Sequence, residues 1–286
     1  MQPSERFFAA DDGRKLFCRF WSSDRPRALL LIFHGIGEHG GRYRPLAEYF
    51  VSRGISVMAP DQRGAGLSRE DHKSLSHYAE LREDLPRIID EGRRWAGNIP
   101  LILAGHSLGA LTILKSLAIF HPPGLRGVIF SSPALRSRSP RPRLLGVRIL
   151  GRLLRRFRLT FDAGSSYLSH DPLMVEAHLR DPLINHRFTA GFLRDVLDVM
   201  AEVRREVRSL PCPALILYAG DDHLVNPEAT RQFVENLSGD KEAVCYETAY
   251  HEVLNEVNRE EVYAKVAEWI DRILAEPAVH PSTGSG

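Results

Sequence analysis

Cysteine is scarce in this sequence. Cys18, Cys212 and Cys245 are odd in number, widely spaced and never arranged as Cys-x-x-Cys. A disulfide framework is therefore not expected, and a reducing compartment, the cytoplasm, fits. No His-Glu-x-x-His run and no Cys/His spacing suggests a metal site, and no cofactor is expected. Long hydrophobic runs are missing too, so no span of a bilayer is expected. Residues 1–21 mix charges with short apolar pairs and lack the apolar core of a signal peptide. The expectation is a soluble protein, at most peripheral to a membrane.

An excess of one charge sign is also lacking. Lys plus Arg is 38 and Asp plus Glu is 36 over 286 residues, a formal net charge of +2. That excludes a globally basic nucleic-acid binder. The balance hides a local bias. Residues 135–161 carry nine arginines and no acid or lysine, which leaves 29 basic against 36 acidic residues elsewhere. Lysine itself is rare, at 5 against 33 arginines, a ratio that genomic base composition explains.

What is present is an alternation of short apolar runs and helix-like stretches. Residues 27–33 (RALLLIF), 55–60, 100–104, 127–131, 213–219 and 243–247 read as buried strands. Residues 45–53, 76–95, 108–120, 228–236 and 258–274 read as helices, with Pro86 a start or kink of the second. Strands buried on both faces and alternating with helices predict an α/β fold with a mostly parallel sheet. Residues 7–21, broken at Asp11-Asp12-Gly13, predict an antiparallel hairpin on its edge. The alternation stops at 134–208, a Pro/Arg/Ser run followed by helix-like pieces without strand signals. It reads as a helical insertion over the carboxyl edge of the sheet, where open α/β sheets bind ligands. The expected organisation is core at 1–133, cap at 134–208, core again at 209–276 and a disordered tail at 277–286.

Gly105-His106-Ser107-Leu108-Gly109 matches Gly-x-Ser-x-Gly. Alone, that pattern arises by chance in roughly one chain in ten of this length. Here it stands between a buried strand and a helix, the setting of a nucleophile elbow. A serine hydroxyl needs a base to take its proton and an acid to orient that base. In such folds the chain order is Ser, acid, His. His251, just past the last strand, is the candidate base. His106 lies within the elbow, His223 in the acid loop, and His170, His178 and His186 in the insertion, where a lone histidine is usually structural. Asp222 is the candidate acid, with its neighbour Asp221 left open. Two backbone N–H groups should meet the oxyanion. Leu108 opens a helix and would supply one. Ile36, in the loop after the first long strand, would supply the other.

That loop, Gly35-Ile36-Gly37-Glu38-His39-Gly40, also fits Gly-x-Gly-x-x-Gly, with Asp61 at the end of the next strand. It imitates a dinucleotide fingerprint. A true fingerprint opens its helix inside the glycines, whereas Gly40, Gly41 and Arg42 extend the loop. Hydride transfer would also leave Ser107, Asp222 and His251 unexplained. A non-catalytic binding protein is the further alternative.

Taken together, HGIGEHGGRY (34–43), APDQRGAGLS (59–68), AGHSLG (104–109), the DPL pairs at 171–173 and 181–183, AGDDHLV (219–225) and YHEVLNE (250–256) resemble the monoacylglycerol lipase and lysophospholipase-like branch of the α/β-hydrolases. The resemblance spans most of residues 5–275. It implies a serine esterase of single-chain lipids, with Ser107, Asp222 and His251 as triad and Ile36 and Leu108 as oxyanion donors. A short-chain esterase, thioesterase, peptidase or acyltransferase on the same triad is the alternative. Ala65 departs from the family, which commonly has histidine there, and this puts only local packing in doubt.

The arginine-rich stretch is amphipathic. Over 144–158, Val147, Leu150, Leu153, Leu154 and Phe157 share one helical face, and Arg148, Arg152, Arg155 and Arg156 the opposite one. The arginines either form a solvated face or meet an anionic membrane.

Overall fold

The computed structural model describes residues 2–69, 77–160 and 164–276. The expected tail at 277–286 and the first residue of the helix expected at 76–95 lie outside them.

Two strands, β1 (Ser4–Ala9) and β2 (Lys15–Trp21), form the edge hairpin, antiparallel with Phe7 opposite Phe17. Then β3 (Ala28–Phe33), α1 (Arg44–Val51), β4 (Ile55–Pro60), α2 (Ala79–Ala96), β5 (Leu101–His106), α3 (Leu108–Leu117) and β6 (Leu125–Ser131) follow in strict alternation. Pro86 lies inside α2 rather than at its start. The 134–208 segment holds α4 (Arg141–Leu153), β7 (Arg158–Thr160), α5 (Pro172–Arg180), β8 (Arg187–Thr189) and α6 (Ala190–Glu206). The chain returns through β9 (Ala214–Ala219), α7 (Pro227–Asn236), β10 (Lys241–Tyr246) and α8 (Arg259–Ala275).

The eight-stranded sheet runs β1-β2-β4-β3-β5-β6-β9-β10, parallel from β4 to β10. Its apolar strands serve both faces because successive side chains point to opposite sides. Leu29, Leu31 and Phe33 pack with Leu85, Ile88 and Leu111 on one face. Leu30 and Ile32 pack with Phe50, Trp269 and Ile270 on the other. All the strand carboxyl ends from β4 to β10 therefore point the same way, and the loops after β3, β5, β9 and β10 converge there. Among the described residues no helix is long and apolar enough to cross a membrane.

The 134–208 segment differs from expectation in two ways. It contains a two-stranded antiparallel sheet, β7 with β8, although the sequence shows no strand signal there. Three-residue strands are too short for a period-2 pattern to emerge. Helix α4 also ends at Leu153, five residues before the expected limit. Its inward stripe is not the purely apolar one. A Cβ on Gly151 would collide with the Ala190 carbonyl and Arg194, so α4 packs on α6 through this glycine. Arg148 and Arg155 flank it and pair with Asp198 and Asp195 of α6. Two of the four arginines expected to face a membrane are thus turned toward acids of the fold. Glycine carries no weight in a hydrophobic pattern, so the contact it permits was invisible to that pattern.

Candidate active site

Ser107 is the one residue between β5 and α3, with φ 50° and ψ −109°. A left-handed φ at a residue with a Cβ is strained, and such strain concentrates at functional sites. The flanking glycines make the turn sterically possible. A Cβ at Gly105 would meet the Ala110 backbone, and one at Gly109 the carbonyl of Phe33 on the neighbouring strand. Leu108 is the first residue of α3, where the N–H has no intrahelical acceptor. Ile36 sits in the loop after β3, and Ile36, Ser107, Leu108 and His251 line one cavity of about 580 Å³.

The loop carrying Ile36 is fixed from behind. His34 Nε2 accepts the Gln62 N–H at 2.8 Å, so its proton is on Nδ1, which donates to the Gly35 carbonyl at 2.8 Å. Burial pushes the His34 pKa below its ordinary value. Glu38 Oε1 accepts the Gly35 N–H at 2.5 Å. The glycine-rich loop leads into a single 3-10 turn at Gly40–Tyr43 before α1 begins.

Asp222 and His251 meet at 2.6 Å, Oδ2 to Nδ1. The Asp222 Oδ1 is held by the N–H groups of Leu224 and Val225 at 2.8 and 2.9 Å. Asp221 instead points away and pairs with His223. Burial opposes a charged His251. The Asp222 carboxylate, its hydrogen bond and the more distant Glu252 and Glu38 outweigh that and hold the pKa above the ordinary imidazole value. Burial would raise Asp222, but His251 and the two N–H groups keep it low. His106 behaves oppositely. Burial, then the neighbouring His251, pushes it down to about 4, and its Nδ1 meets the Ser131 hydroxyl at 3.2 Å.

Four residues to which the sequence reading gave no role also line this cavity: Glu38, Arg42, Glu252 and His178. Arg42 donates to Glu38 Oε2 at 2.6 Å and to both Glu252 oxygens at 2.7 and 2.8 Å. Burial disfavours both carboxylates, yet Arg42 beside them holds their pKa values low. Glu252 lies 210 positions from Arg42, so no local pattern could pair them. The sequence signal was only that charged residues stood within the quoted HGIGEHGGRY and YHEVLNE runs. His178 comes from α5, and its Nδ1 is buried without a hydrogen-bond partner among the described residues. Leu144, Val147 and Leu150 of α4 and Leu193, Val196 and Met200 of α6 supply apolar wall.

The 134–208 segment is tied to the core at the base of this site. Both DPL aspartates cap local turns and reach across: Asp171 to Arg259 at 2.8 Å and Asp181 to His39 Nε2 at 2.7 Å. The backbone N–H groups of His251 and Glu252 donate to the carbonyls of Tyr167 and Leu168. Among the described residues no group of His, Cys, Asp and Glu could hold a metal ion.

A serine lifted on a strained turn, a parallel sheet beneath it and a carboxylate-bound histidine on the wall of the same cavity define a serine hydrolase of the α/β-hydrolase fold. The chain belongs to the serine aminopeptidase S33 family, whose model matches residues 24–258. It is 29% identical over 273 residues to a monoacylglycerol lipase of Mycolicibacterium smegmatis, spanning 93% of this chain and 96% of that protein. It is 27% identical to a phospholipase of Bacillus subtilis, spanning 89% of this chain and 99% of that one. A crystal structure of the Paleococcus ferrophilus monoacylglycerol lipase superposes with a TM-score of 0.77 at 28% identity, covering 96% of this chain and 100% of that one.

Proposed function

We propose that this enzyme hydrolyses the acyl ester of monoacylglycerols or similar single-chain lipids through an acyl-enzyme on Ser107. The observation that carries the reading is the 2.6 Å contact of His251 Nδ1 with Asp222, which leaves Nε2 for Ser107. His251 takes the Ser107 proton as the hydroxyl oxygen attacks the ester carbonyl, and then gives that proton to the leaving alcohol. Asp222 fixes the tautomer and stabilises the imidazolium. The N–H groups of Ile36 and Leu108 receive the oxyanion, worth about 3 kcal/mol each by analogy with other oxyanion donors. Water, activated by the same histidine, then cleaves the acyl-enzyme. The apolar wall from α4 and α6 suits a fatty acyl chain better than a peptide, whose backbone would leave polar groups unpaired there.

The 134–208 segment acts as a cap in this reading, and α4 carries it to a membrane surface. Leu145, Ile149, Leu153, Leu154 and Phe157 are exposed, Leu153 at 72%. Arg152 and Arg156 stand exposed beside them. Exposed apolar side chains interleaved with arginine favour an anionic lipid interface, where the substrate resides. Peripheral attachment of a reducing-compartment protein follows. The test is a panel of monoacylglycerols, lysophospholipids and nitrophenyl esters of graded chain length, run with wild type and Ser107→Ala. Turnover of the lipid esters that vanishes in the variant is expected. A wild type that hydrolyses only short nitrophenyl esters would overturn the lipid reading.

A further inference from the structure

A general base must reach the serine proton while its other nitrogen stays on the acid, so whatever seats the loop of His251 sets the geometry of the reaction. Part of that seat comes from the 134–208 segment, where residues 167–170 exchange hydrogen bonds with residues 250–256. The His251 N–H donates to the Tyr167 carbonyl at 3.4 Å and the Glu252 N–H to the Leu168 carbonyl at 2.8 Å. The Ser169 hydroxyl donates to the Asn255 carbonyl at 2.9 Å.

Glu256 gathers both sides of this seam. It is only 2% exposed. Its Oε1 accepts the Tyr250 N–H at 2.7 Å and the His170 Nδ1–H at 3.0 Å. Its Oε2 accepts the N–H groups of His170 and Val257 at 3.0 and 3.2 Å. Burial opposes the charged form, yet these donors hold the carboxyl below its ordinary value. Glu256 thereby closes the loop on the residue just before His251 and fastens residue 170 to it. A neutral amide in its place would donate at one end, and at least one backbone N–H would lose its acceptor.

Ring contacts join the same parts. Tyr167 stacks on His223 with centroids 4.1 Å apart and meets Tyr250 edge-on at 5.7 Å. His170 stacks on Tyr250 at 3.7 Å. His223 follows Asp222 in the chain and Tyr250 precedes His251. One ring of the 134–208 segment therefore touches the immediate neighbours of both members of the Asp222–His251 pair. Neither Tyr167 nor Glu256 lines the cavity that holds Ser107, so any effect they have on the reaction passes through other residues.

We propose that Glu256 and Tyr167 are positioning residues that seat His251 against the 134–208 segment and hold its ring on Asp222. The inference rests on the reading of His251 as the general base and names what fixes that base in place.

Steady-state kinetics on p-nitrophenyl butyrate across pH test it, with rates normalised to active sites titrated by a fluorophosphonate and folding checked by thermal melts. Glu256→Gln should lower kcat about tenfold, the worth of one unpaired buried N–H, with KM unchanged. Tyr167→Ala gives up two ring contacts and should lower kcat about tenfold as well. It changes no charge, so its pH profile reports geometry alone. A His251 loosened from Asp222 titrates nearer the ordinary imidazole value, and the acid limb of kcat/KM should move down toward pH ~6.5. Tyr167→Phe keeps the ring and should restore both rate and limb. If Glu256→Gln does not fold, the two Tyr167 variants decide alone. An unmoved acid limb in Tyr167→Ala, or a loss of rate that Tyr167→Phe shares, would overturn the proposal while the triad reading stands. A His251→Ala variant as active as wild type would overturn that reading and the inference with it.

Discussion

Arg138 Nη1 donates to the main-chain carbonyl of Asp222 at 2.6 Å. The contact belongs to a short seam. Residues 136–138 run antiparallel to the acid loop, with the Asn226 N–H donating to the Arg136 carbonyl and the Arg138 N–H to the Leu224 carbonyl. The first residues of the 134–208 segment thus hold the loop whose carboxylate meets His251. The arginine-rich stretch has at least one intramolecular task besides any surface it presents.

Replacing that guanidinium tests whether it steadies the acid. A hydrogen bond from a charged donor is worth about 2 kcal/mol. Arg138→Met is expected to lower kcat/KM on a soluble ester about tenfold, and Arg138→Lys to lower it less. Steady-state kinetics on p-nitrophenyl butyrate reads this directly, and an unchanged Met variant would show that the backbone seam suffices.

The pH profile follows from the environment of His251. The histidine must be neutral to take the serine proton. Its folded-state pKa lies above the ordinary value near 6.5, so it keeps its proton to higher pH than a free imidazole. Activity is therefore lost as pH falls through that raised pKa, and the acid limb of kcat/KM should lie above pH ~6.5. Asp222→Asn removes the main opposing influence to burial and should move the limb down, at a cost of about 10⁴ in kcat. A pH–rate series on both proteins checks the sign.

Membrane attachment should depend on the arginines the fold leaves exposed. Arg152→Glu with Arg156→Glu is expected to weaken binding to anionic vesicles by about 2 kcal/mol in all, or roughly 30-fold, and to leave soluble-ester hydrolysis unchanged. Reversing Arg148 and Arg155 breaks pairs with Asp198 and Asp195 and should lower thermal stability as well. Vesicle co-sedimentation and melting curves separate the two effects.

Packing at Gly151 gives a stability prediction. Gly151→Val places carbon against the Ala190 carbonyl and should destabilise the inserted segment by about 1–3 kcal/mol through overpacking. Limited proteolysis should then cut within 134–208 faster than in wild type.

Strand and helix alternation was legible in the sequence because the central strands are buried on both faces and read as unbroken apolar runs. The placement of Ser107, Asp222 and His251 at the carboxyl edge of the sheet was legible because each follows a strand in a short loop. What escaped had no local signature. The pairing of Arg42 with Glu252 spans 210 positions, and β7 and β8 are three residues each. His178 looks like any histidine on a short helix until the fold brings that helix to the cavity wall. The faces of α4 were misjudged because the residue that decides them is a glycine.

The most direct test of the account is covalent labelling by a fluorophosphonate probe, read by intact mass and peptide mapping. Wild type should gain one adduct, on Ser107, and lose all esterase turnover in step with it, while Ser107→Ala should gain none. Labelling that persists in Ser107→Ala, or an adduct mapped to another residue, would contradict it.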